Sequence, residues 1–461
     1  MSDVALNDAP CDLDVWYPLL RGGSTCGHGA LADGQSLAEL GQTLAPGEAT
    51  AVVGGDPGIS IARAFATGQV HRLGSRIPTD FSYECFSAVP NTGGGFVLLA
   101  SGDPAAFRAG LHLLPGGRLR WRVIKRFLDR AGALGLSRLP GATEIGLLSR
   151  DSTESCMTVP PELVGSIAAI ACGVPGLHQK LTVSLLADRD QPARIVKISK
   201  GAASERQIDN EIRALTHVTA RSGTRLAPRI VGGGQANGRH YLVQERLAGE
   251  RSPDGLTEAH FRFLSDLQGL DAPSGGPGSL ESFHADRQFV NRQPVGPWFV
   301  AMAGLSCSIE VSRCAAEVPC ALAHGDFTPW NLVLQDGAMR AFDWEYSGCT
   351  VPLADLFHFV IQTGVLVERL SAPAIIDRVE TILNGPAREL IAAAGLDMNS
   401  AWACFGLYLL KVSVGVERQH QQVRPEFVQV GWLRDTRIAL AMLVAQRLCA
   451  RAGSSRRGVA A

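Results

Sequence analysis

A chain of 461 residues, 46% of them hydrophobic, is long enough for more than one domain and for sizeable cores. Its formal net charge of -1 gives no general attraction for nucleic acid or an anionic membrane surface. The apolar stretch at 167–174 is far too short to span a bilayer. The acidic N-terminus lacks the basic-then-apolar order of a signal peptide. These features predict a cytoplasmic protein with neither a nucleic-acid partner nor a membrane span.

The eleven cysteines are odd in number, scattered, and without a CxxC pair. This usage disfavours a disulfide framework and a zinc site. The tightest group, Cys307, Cys314 and Cys320, is interpreted as buried or surface thiols on a helix.

Residues 1–150 are predicted to form one α/β unit, because apolar strand-like runs alternate with helix-like ones. Such alternation indicates a mostly parallel sheet. Strands are predicted at 50–55, 70–74, 94–101 and 118–124, and helices at 59–68 and 103–114.

A second pattern starts near residue 158. Two strand-like runs, at 180–188 and 193–199, predict a hairpin, and the amphipathic run at 203–218 predicts a helix. A further strand is predicted at 239–247, after which the pattern is mainly helical.

The order of strands and Gly-rich turns within 1–150 resembles a class I methyltransferase. In such folds a Gly-rich turn after the first strand approaches the cofactor. Here the turn is GGDPG at 54–58, and no acid closes the second predicted strand at 70–74. The resemblance therefore implies a degenerate Rossmann-like domain for docking or partner recognition, with S-adenosylmethionine binding left as the alternative.

The stretch at 324–331, HGDFTPWN, sets Asp326 and Asn331 five residues apart, and Asp343 follows in FDWE. Magnesium prefers carboxylate and amide oxygens and bridges phosphate oxygens. Phosphoryl transfer also needs an acceptor for the proton of the substrate hydroxyl. The three residues therefore suit this reaction, with Asp326 as the base and Asn331 and Asp343 as metal ligands.

The ordered combination of HGDxxxxN, DWE and PLADL resembles the aminoglycoside phosphotransferase/choline kinase family, which has a protein-kinase-like fold. The resemblance covers roughly residues 160–450. It implies transfer of the γ-phosphate of ATP, with Mg²⁺, to a hydroxyl of a small molecule. It assigns Asp326 as the base, Asn331 and Asp343 as metal ligands, and His324 and Asp355 as supports of the loop.

The same resemblance implies nucleotide contacts upstream. Lys197, in RIVKIS, would hold the α- and β-phosphates, and Glu211 would be its ion-pair partner. Glu205 is a competing candidate, but Glu211 lies closer to the apolar stripe of the predicted helix.

Backbone groups would complete the nucleotide site. Gly173 and Gly176 allow backbone amides to approach a phosphate closely, although the segment is not GxGxxG. The segment LVQERLAGE resembles the family's hinge, so backbone groups near Glu245 and Leu247 would bind adenine.

The predicted fold is thus α/β plus α+β. A Rossmann-like, methyltransferase-like domain at 1–150 precedes a bilobal kinase-like domain, with an N-lobe at 158–249 and a helical C-lobe at 250–450. A disordered tail is predicted at 451–461.

The acceptor is predicted less directly. From residue 401 to the end the sequence carries nine Lys or Arg against three Asp or Glu, which disfavours a polycation. A sugar or glycan intermediate is the preferred acceptor. The alternatives are a non-catalytic pseudokinase scaffold and a methyltransferase-linked partner-binding protein. The sequence predicts neither the oligomeric state nor a choice between ATP and GTP.

Overall fold

A computed structural model divides the chain into two compact units. The first comprises Met1–Asp209 and Ile230–Arg246, and the second comprises Asn210–Arg229 and Leu247–Ala461. The residues described are 49–53, 70–72, 81–90, 96–114, 119–137, 139, 143–150, 161–163, 165–173, 178–187, 193–236, 238–271, 279–312, 318–422 and 431–458.

The first unit is built on a ten-stranded sheet. Its strands are β1 (Ala49–Val53), β2 (Val70–Arg72), β3 (Phe81–Pro90), β4 (Phe96–Ser101), β5 (Thr143–Arg150), β6 (Ile167–Cys172), β7 (Lys180–Leu185), β8 (Arg194–Ser199), β9 (Ile230–Ala236) and β10 (Arg239–Glu245). The spatial order is β2-β1-β5-β3-β4-β6-β7-β8-β10-β9. Every neighbouring pair is antiparallel except β1 and β2.

Both faces of strand β4 are buried. Leu98 and Ala100 join one hydrophobic cluster, whereas Val97 and Leu99 join a second cluster on the opposite face. The second cluster also contains Phe107 of helix α1 (Pro104–Gly110), Leu128 of helix α2 (Leu119–Ala133), and Leu111 and Leu114 from the segment between these helices. The side chain of Asp103 caps α1 by accepting hydrogen bonds from backbone amides of its first turn.

The pairing corrects the mostly parallel sheet predicted for residues 1–150. Among the strands described there, only β1 and β2 are parallel, and β3 and β5 complete an antiparallel arrangement that the sequence analysis did not predict. The strand predicted at 118–124 is also wrong, because these residues fall in α2 from Leu119 onward. A short apolar run fits either a strand or a helix, and here the helical pattern continues to residue 133.

The described strands therefore give no support to a Rossmann-like, methyltransferase-like domain. The Gly-rich turn at 54–58 lies outside the described residues. Because β4 pairs with β6, strands from the 1–150 segment and from the predicted N-lobe at 158–249 belong to one sheet. The predicted hairpin is confirmed, since β7 and β8 pair antiparallel.

The second unit is mainly helical. Its helices are α3 (Ala202–Ser222, of which residues 210–222 belong here), α4 (Glu258–Gln268), α5 (Ser279–Asn291), α6 (Pro297–Ser312), α7 (Ala354–Leu366), α8 (Ala372–Asn384), α9 (Arg388–Ala393), α10 (Met398–Gln422) and α11 (Gly431–Gly458). Its strands are β11 (Glu250–Arg251), β12 (Ala321–Ala323), β13 (Leu332–Gln335), β14 (Ala338–Ala341) and β15 (Gly348–Thr350). The strands form two small sheets, β11-β13-β14 and β12-β15.

Aromatic side chains form much of the core beside the two small sheets. Phe327 is fully buried and stacks on Phe263 of α4 with 5.1 Å between the ring centroids. Trp344 is also fully buried, and its indole nitrogen donates a hydrogen bond to the carbonyl of Ala341. These contacts anchor the polar segments that follow β12 and β14.

Helix α11 extends to Gly458, which differs from the disordered tail predicted at 451–461, while residues 459–461 lie outside the description. Within the described part of the chain, no helix is both long enough and apolar enough to cross a membrane.

Candidate active site

The segment between β12 and β13 begins on a buried carboxylate. Asp355, near the start of α7, accepts hydrogen bonds from the backbone amides of His324 at 2.7 Å and Gly325 at 2.9 Å. Only 4% of Asp355 is exposed. Burial raises its pKa, and the charge of His324 and the two backbone hydrogen bonds oppose that rise. Asp355 therefore ties the start of the loop to α7.

His324 joins this loop to the segment that carries Asp343. Its Nε2 lies 2.9 Å from the carbonyl oxygen of Phe342, and its Nδ1 lies 3.2 Å from the backbone nitrogen of Asp326. The imidazole also packs edge-on against Trp344, with 4.6 Å between centroids. His324 thus holds backbone on both sides of the site.

The carboxylate of Asp326 is held at both oxygens. Nε2 of His358 lies 3.0 Å from Oδ1, and Nδ2 of Asn331 donates to Oδ2 at 2.8 Å. Burial alone would raise the pKa of Asp326, but the hydrogen bond and charge of His358, with the charge of His324, outweigh it and the opposing charge of Asp343. The pKa of Asp326 is therefore lowered, and the group is a carboxylate at neutral pH, as a proton acceptor must be.

His358 was not named by the sequence analysis. It lies on α7 three residues after Asp355, so the two side chains share a helix face. Its Nδ1 lies 3.0 Å from the hydroxyl of Tyr408, which completes a hydrogen-bonded chain from Asp326 through His358 to Tyr408. That helical spacing was the available signal.

Asp343 lies in the left-handed region, with φ 70° and ψ 54°, immediately before a 3₁₀ turn at Trp344–Tyr346. Carboxylate oxygens of Asp343, Glu345 and Glu211 lie within 4.8 Å of one another. Three carboxylates form a hard-oxygen donor set that suits a divalent cation such as Mg²⁺. The structure thus adds Glu345, which the sequence analysis did not name.

Two side chains fix the segment that carries this cluster. Nδ2 of Asn210 on α3 donates to the carbonyls of Glu345 and Ser347, both at 2.9 Å. The hydroxyl of Ser347 donates to the carbonyl of Ala323 in β12 at 2.8 Å. The amide nitrogen of Asn331 is bonded to Asp326, so its oxygen is the atom that suits a cation.

Gly325 occupies a position where a side chain has no room. Its φ is 88°, and an added Cβ would overlap the backbone carbonyl of Tyr346. Gly325→Ala is therefore expected to destabilise the protein by about 2–4 kcal/mol, from left-handed strain plus the clash. Gly337→Ala is the matched control, since its φ is 76° but nothing lies within 4 Å of an added Cβ. Equal losses of unfolding free energy in chemical denaturation would contradict this account.

One cysteine pair differs from the prediction of unpaired thiols. Cys320, just before β12, forms a disulfide with Cys349 of β15. The two strands pair antiparallel over three residues each, a contact that residue spacing does not indicate. Cys307 is an exposed free thiol, and Cys314 lies outside the described residues.

The residues predicted to contact nucleotide are mostly in the first unit. Lys197 is 4% exposed and lies in β8, in register with Thr182 and Leu242 on the neighbouring strands. The amide of Gly173 donates to the carbonyl of Lys180 at 3.2 Å.

Among the other residues predicted to contact nucleotide, Gly176 lies outside the described part of the chain. Glu245 is the last residue of β10, and Leu247 is the first residue of the second unit after that strand. Between them, the backbone amide of Arg246 donates to the carbonyl of Ala193 at 2.8 Å. Glu211 belongs to the second unit and lies with Asp343 and Glu345.

A cavity of about 390 Å³ opens beside Asp326 within the second unit. Gly325, His358 and Tyr408 line it near the carboxylate, and α10 forms one wall. A volume of this size accommodates a small organic molecule next to a proton acceptor.

Residues 178–388, just under half of the chain, match the model of the phosphotransferase enzyme family, APH. The matched segment contains Lys197, Asp326, Asn331 and Asp343. This match indicates a phosphotransferase, and it covers the segment that carries the candidate site. No curated protein sequence matches this chain significantly.

Solved structures that match part of this chain include a choline kinase, a choline/ethanolamine kinase family protein and an aminoglycoside phosphotransferase. Choline kinase LicA from Streptococcus pneumoniae is 14% identical with a TM-score of 0.43, over 61% of this chain and 94% of that one. A choline/ethanolamine kinase family protein from Mesorhizobium loti is 16% identical with a TM-score of 0.42, over 64% and 95%. A thermostable mutant of aminoglycoside phosphotransferase APH(4)-Ia is 13% identical with a TM-score of 0.40, over 63% and 96%.

Proposed function

We propose that this chain is an ATP- and Mg²⁺-dependent phosphotransferase that moves the γ-phosphate to a hydroxyl of a small molecule. The observation that carries the proposal is the carboxylate of Asp326, which is hydrogen-bonded by His358 and Asn331, has a lowered pKa, and lines a cavity of about 390 Å³. The match of residues 178–388 to the phosphotransferase family supports the same reaction class.

In the proposed reaction, the acceptor hydroxyl lies in the cavity with its proton directed at Asp326. The hydroxyl oxygen forms a bond to the γ-phosphorus as the bond to the β-phosphate oxygen breaks, and ADP leaves. Asp326 takes the hydroxyl proton, and His358 with Asn331 keeps the carboxylate oriented for that transfer.

Asp343 and Asn331 are the proposed metal ligands, and the position of Glu345 adds it as a third. The bound ion would neutralise charge on the transferring phosphate. Lys197 is the proposed contact of the nucleotide phosphates. Backbone amides at Gly173 and Gly176 are proposed to approach a phosphate, and backbone groups near Glu245 and Leu247 are proposed to bind adenine.

Glu211 has two candidate roles within the proposal. The sequence suggests an ion-pair partner for Lys197, whereas its position beside Asp343 and Glu345 suggests a contribution to the cation site. His324 and Asp355 are proposed as positioning residues, because their contacts are to backbone of the loop.

The direct test is transfer of labelled phosphate from γ-labelled ATP to a panel of hydroxyl compounds that includes sugars, aminoglycosides and hydroxy acids. We expect acceptor-dependent ADP formation that stops when Mg²⁺ is chelated, with GTP tested in parallel. If neither nucleotide is consumed nor stabilises the protein against heating, the pseudokinase scaffold replaces this proposal.

A further inference from the structure

The cavity beside Asp326 has one wall formed by a single helical face. The contributing side chains of α10 are spaced mostly three and four residues apart, as neighbours on a helix face are. They are Tyr408, Lys411, Val412, Gly415, Val416 and Gln419. The cavity is therefore apolar along much of this wall and carries a cation on it.

Arg437 of α11 also lines the cavity, and it is the least expected residue there. Only 7% of it is exposed, and among the described residues no hydrogen bond or ion pair involves its guanidinium. Its Nε is wholly buried and, in the part of the chain described, has no hydrogen-bond partner. Burial lowers the pKa of Arg437 from its usual value, yet a guanidinium stays charged at neutral pH. A buried, unpaired cation is costly unless an anion reaches it.

The neighbour of Arg437 supplies no counter-charge. Burial raises the pKa of Tyr408 well above its usual value, so its hydroxyl is neutral at neutral pH. That hydroxyl is hydrogen-bonded to His358. Tyr408 therefore does not neutralise the charge of Arg437.

Lys411 adds a second positive charge to the same cavity. Its Nζ donates to the carbonyl of Cys349 at 3.2 Å. Burial lowers the pKa of Lys411, and the charge of Asp286 opposes that fall. The carboxylate of Asp286 lies outside the cavity lining and is paired with Arg418 at 3.2 Å.

The carboxylates among the lining residues are both already engaged. Asp355 accepts two backbone amides, and Asp326 is held by His358 and Asn331. Apart from Asp326 and Asp355, the charged side chains that line the cavity are Lys411 and Arg437, both of them cations.

We propose that the phosphate acceptor is a small hydroxy compound that carries a carboxylate or a phosphate, bound by Arg437 with its hydroxyl at Asp326. This inference rests on the proposed phosphotransferase function and names the substrate class for it. A guanidinium binds either anion through two parallel hydrogen bonds, which would also orient the hydroxyl. A polycationic acceptor would instead meet Arg437 and Lys411 without a matching acid.

The test uses two sets of compounds that differ in charge on one skeleton. The first set is gluconate, sorbitol and glucamine, and the second is glycerol 3-phosphate, glycerol and 3-amino-1,2-propanediol. Each is added to the full chain at constant ionic strength without nucleotide, and the melting temperature is followed to obtain a Kd. The two sets separate carboxylate from phosphate as the preferred anion.

We expect an anionic member to stabilise the protein and its neutral and cationic counterparts to do so far less. Arg437→Gln should weaken anion binding about 10- to 100-fold, as expected for a lost charge-assisted hydrogen bond. Arg434→Gln is the matched control. It removes the same charge from the same helix, but that side chain is 42% exposed and paired with Glu417 outside the cavity lining.

The inference is overturned if no anion binds in an Arg437-dependent manner, or if neutral or cationic members bind as well as anionic ones. The same compounds are then offered with Mg-ATP. Arg437-dependent anion binding without phosphoryl transfer would count against the proposed function alone, since the binding arm needs no nucleotide. Transfer to a neutral or cationic member in preference would count against the acceptor class alone.

Discussion

Replacing Asp326 with Asn is expected to lower kcat about 10²- to 10⁴-fold, the usual contribution of a positioned general base. The amide has nearly the same shape, but it cannot take the hydroxyl proton. The lowered pKa of Asp326 makes the carboxylate the resting form, so the substitution removes the reactive form itself. Initial rates of ADP formation, at saturating Mg-ATP and acceptor, measure the effect.

Asp336→Asn is the matched control for that substitution. Asp336 is exposed in the turn between β13 and β14, with φ 51°, a region that Asn tolerates. It should retain wild-type rates. Because the amide introduced by Asp326→Asn would face the amide of Asn331, thermal unfolding of both variants is needed to show that the loss is not misfolding. An Asp326→Asn variant that is folded and keeps more than about a tenth of the wild-type rate would remove Asp326 from the role of base.

Asp343→Asn is expected to abolish the Mg²⁺-dependent stabilisation of the protein by nucleotide. For wild type at a nucleotide concentration about a hundredfold above Kd, binding should add about 2.7 kcal/mol to the free energy of unfolding. Asn replaces a charged ligand atom with a neutral one, and it tolerates the left-handed backbone at this position better than Ala does. Thermal unfolding with and without Mg-ATP, and again with a chelator, measures the difference.

Glu345→Gln separates the two candidate metal sets in the same assay. If the cluster of Glu211, Asp343 and Glu345 binds the cation, Glu345→Gln should also reduce the stabilisation. If Asn331 and Asp343 alone bind it, Glu345→Gln should behave as wild type. An Asp343→Asn variant that keeps the full metal-dependent stabilisation would contradict both versions of the site.

The parts of the site that are local in sequence could be predicted from it. Asp326 and Asn331 are separated by a short loop, and the hydrogen bond between them is a contact within that loop. Helix α3 has a local apolar periodicity, and strands β7 and β8 are adjacent in sequence and pair antiparallel. The roles assigned to these site residues stay predictions until the variants above are measured.

The parts that depend on long-range pairing could not be predicted. His358 reaches Asp326 from a helix 32 residues away, and Glu211 meets Glu345 across a far larger separation. The prediction of a mostly parallel sheet was wrong for the same reason. The alternation of strands and helices in 1–150 does not reveal that β5 lies between β1 and β3. The sequence did not indicate a role for Arg437, since arginine side chains are mostly exposed to solvent.

The link between Cys320 and Cys349 closes a covalent ring of the chain with a sequence separation of 29. His324, Asp326, Asn331 and Asp343 all lie inside that ring. In the chain-entropy view, such a closure raises the free energy of the unfolded chain by about 3–4 kcal/mol. With this bond formed, the groups that must converge for chemistry cannot separate widely in the unfolded chain, so the covalent bond meets part of the entropic cost of assembling them.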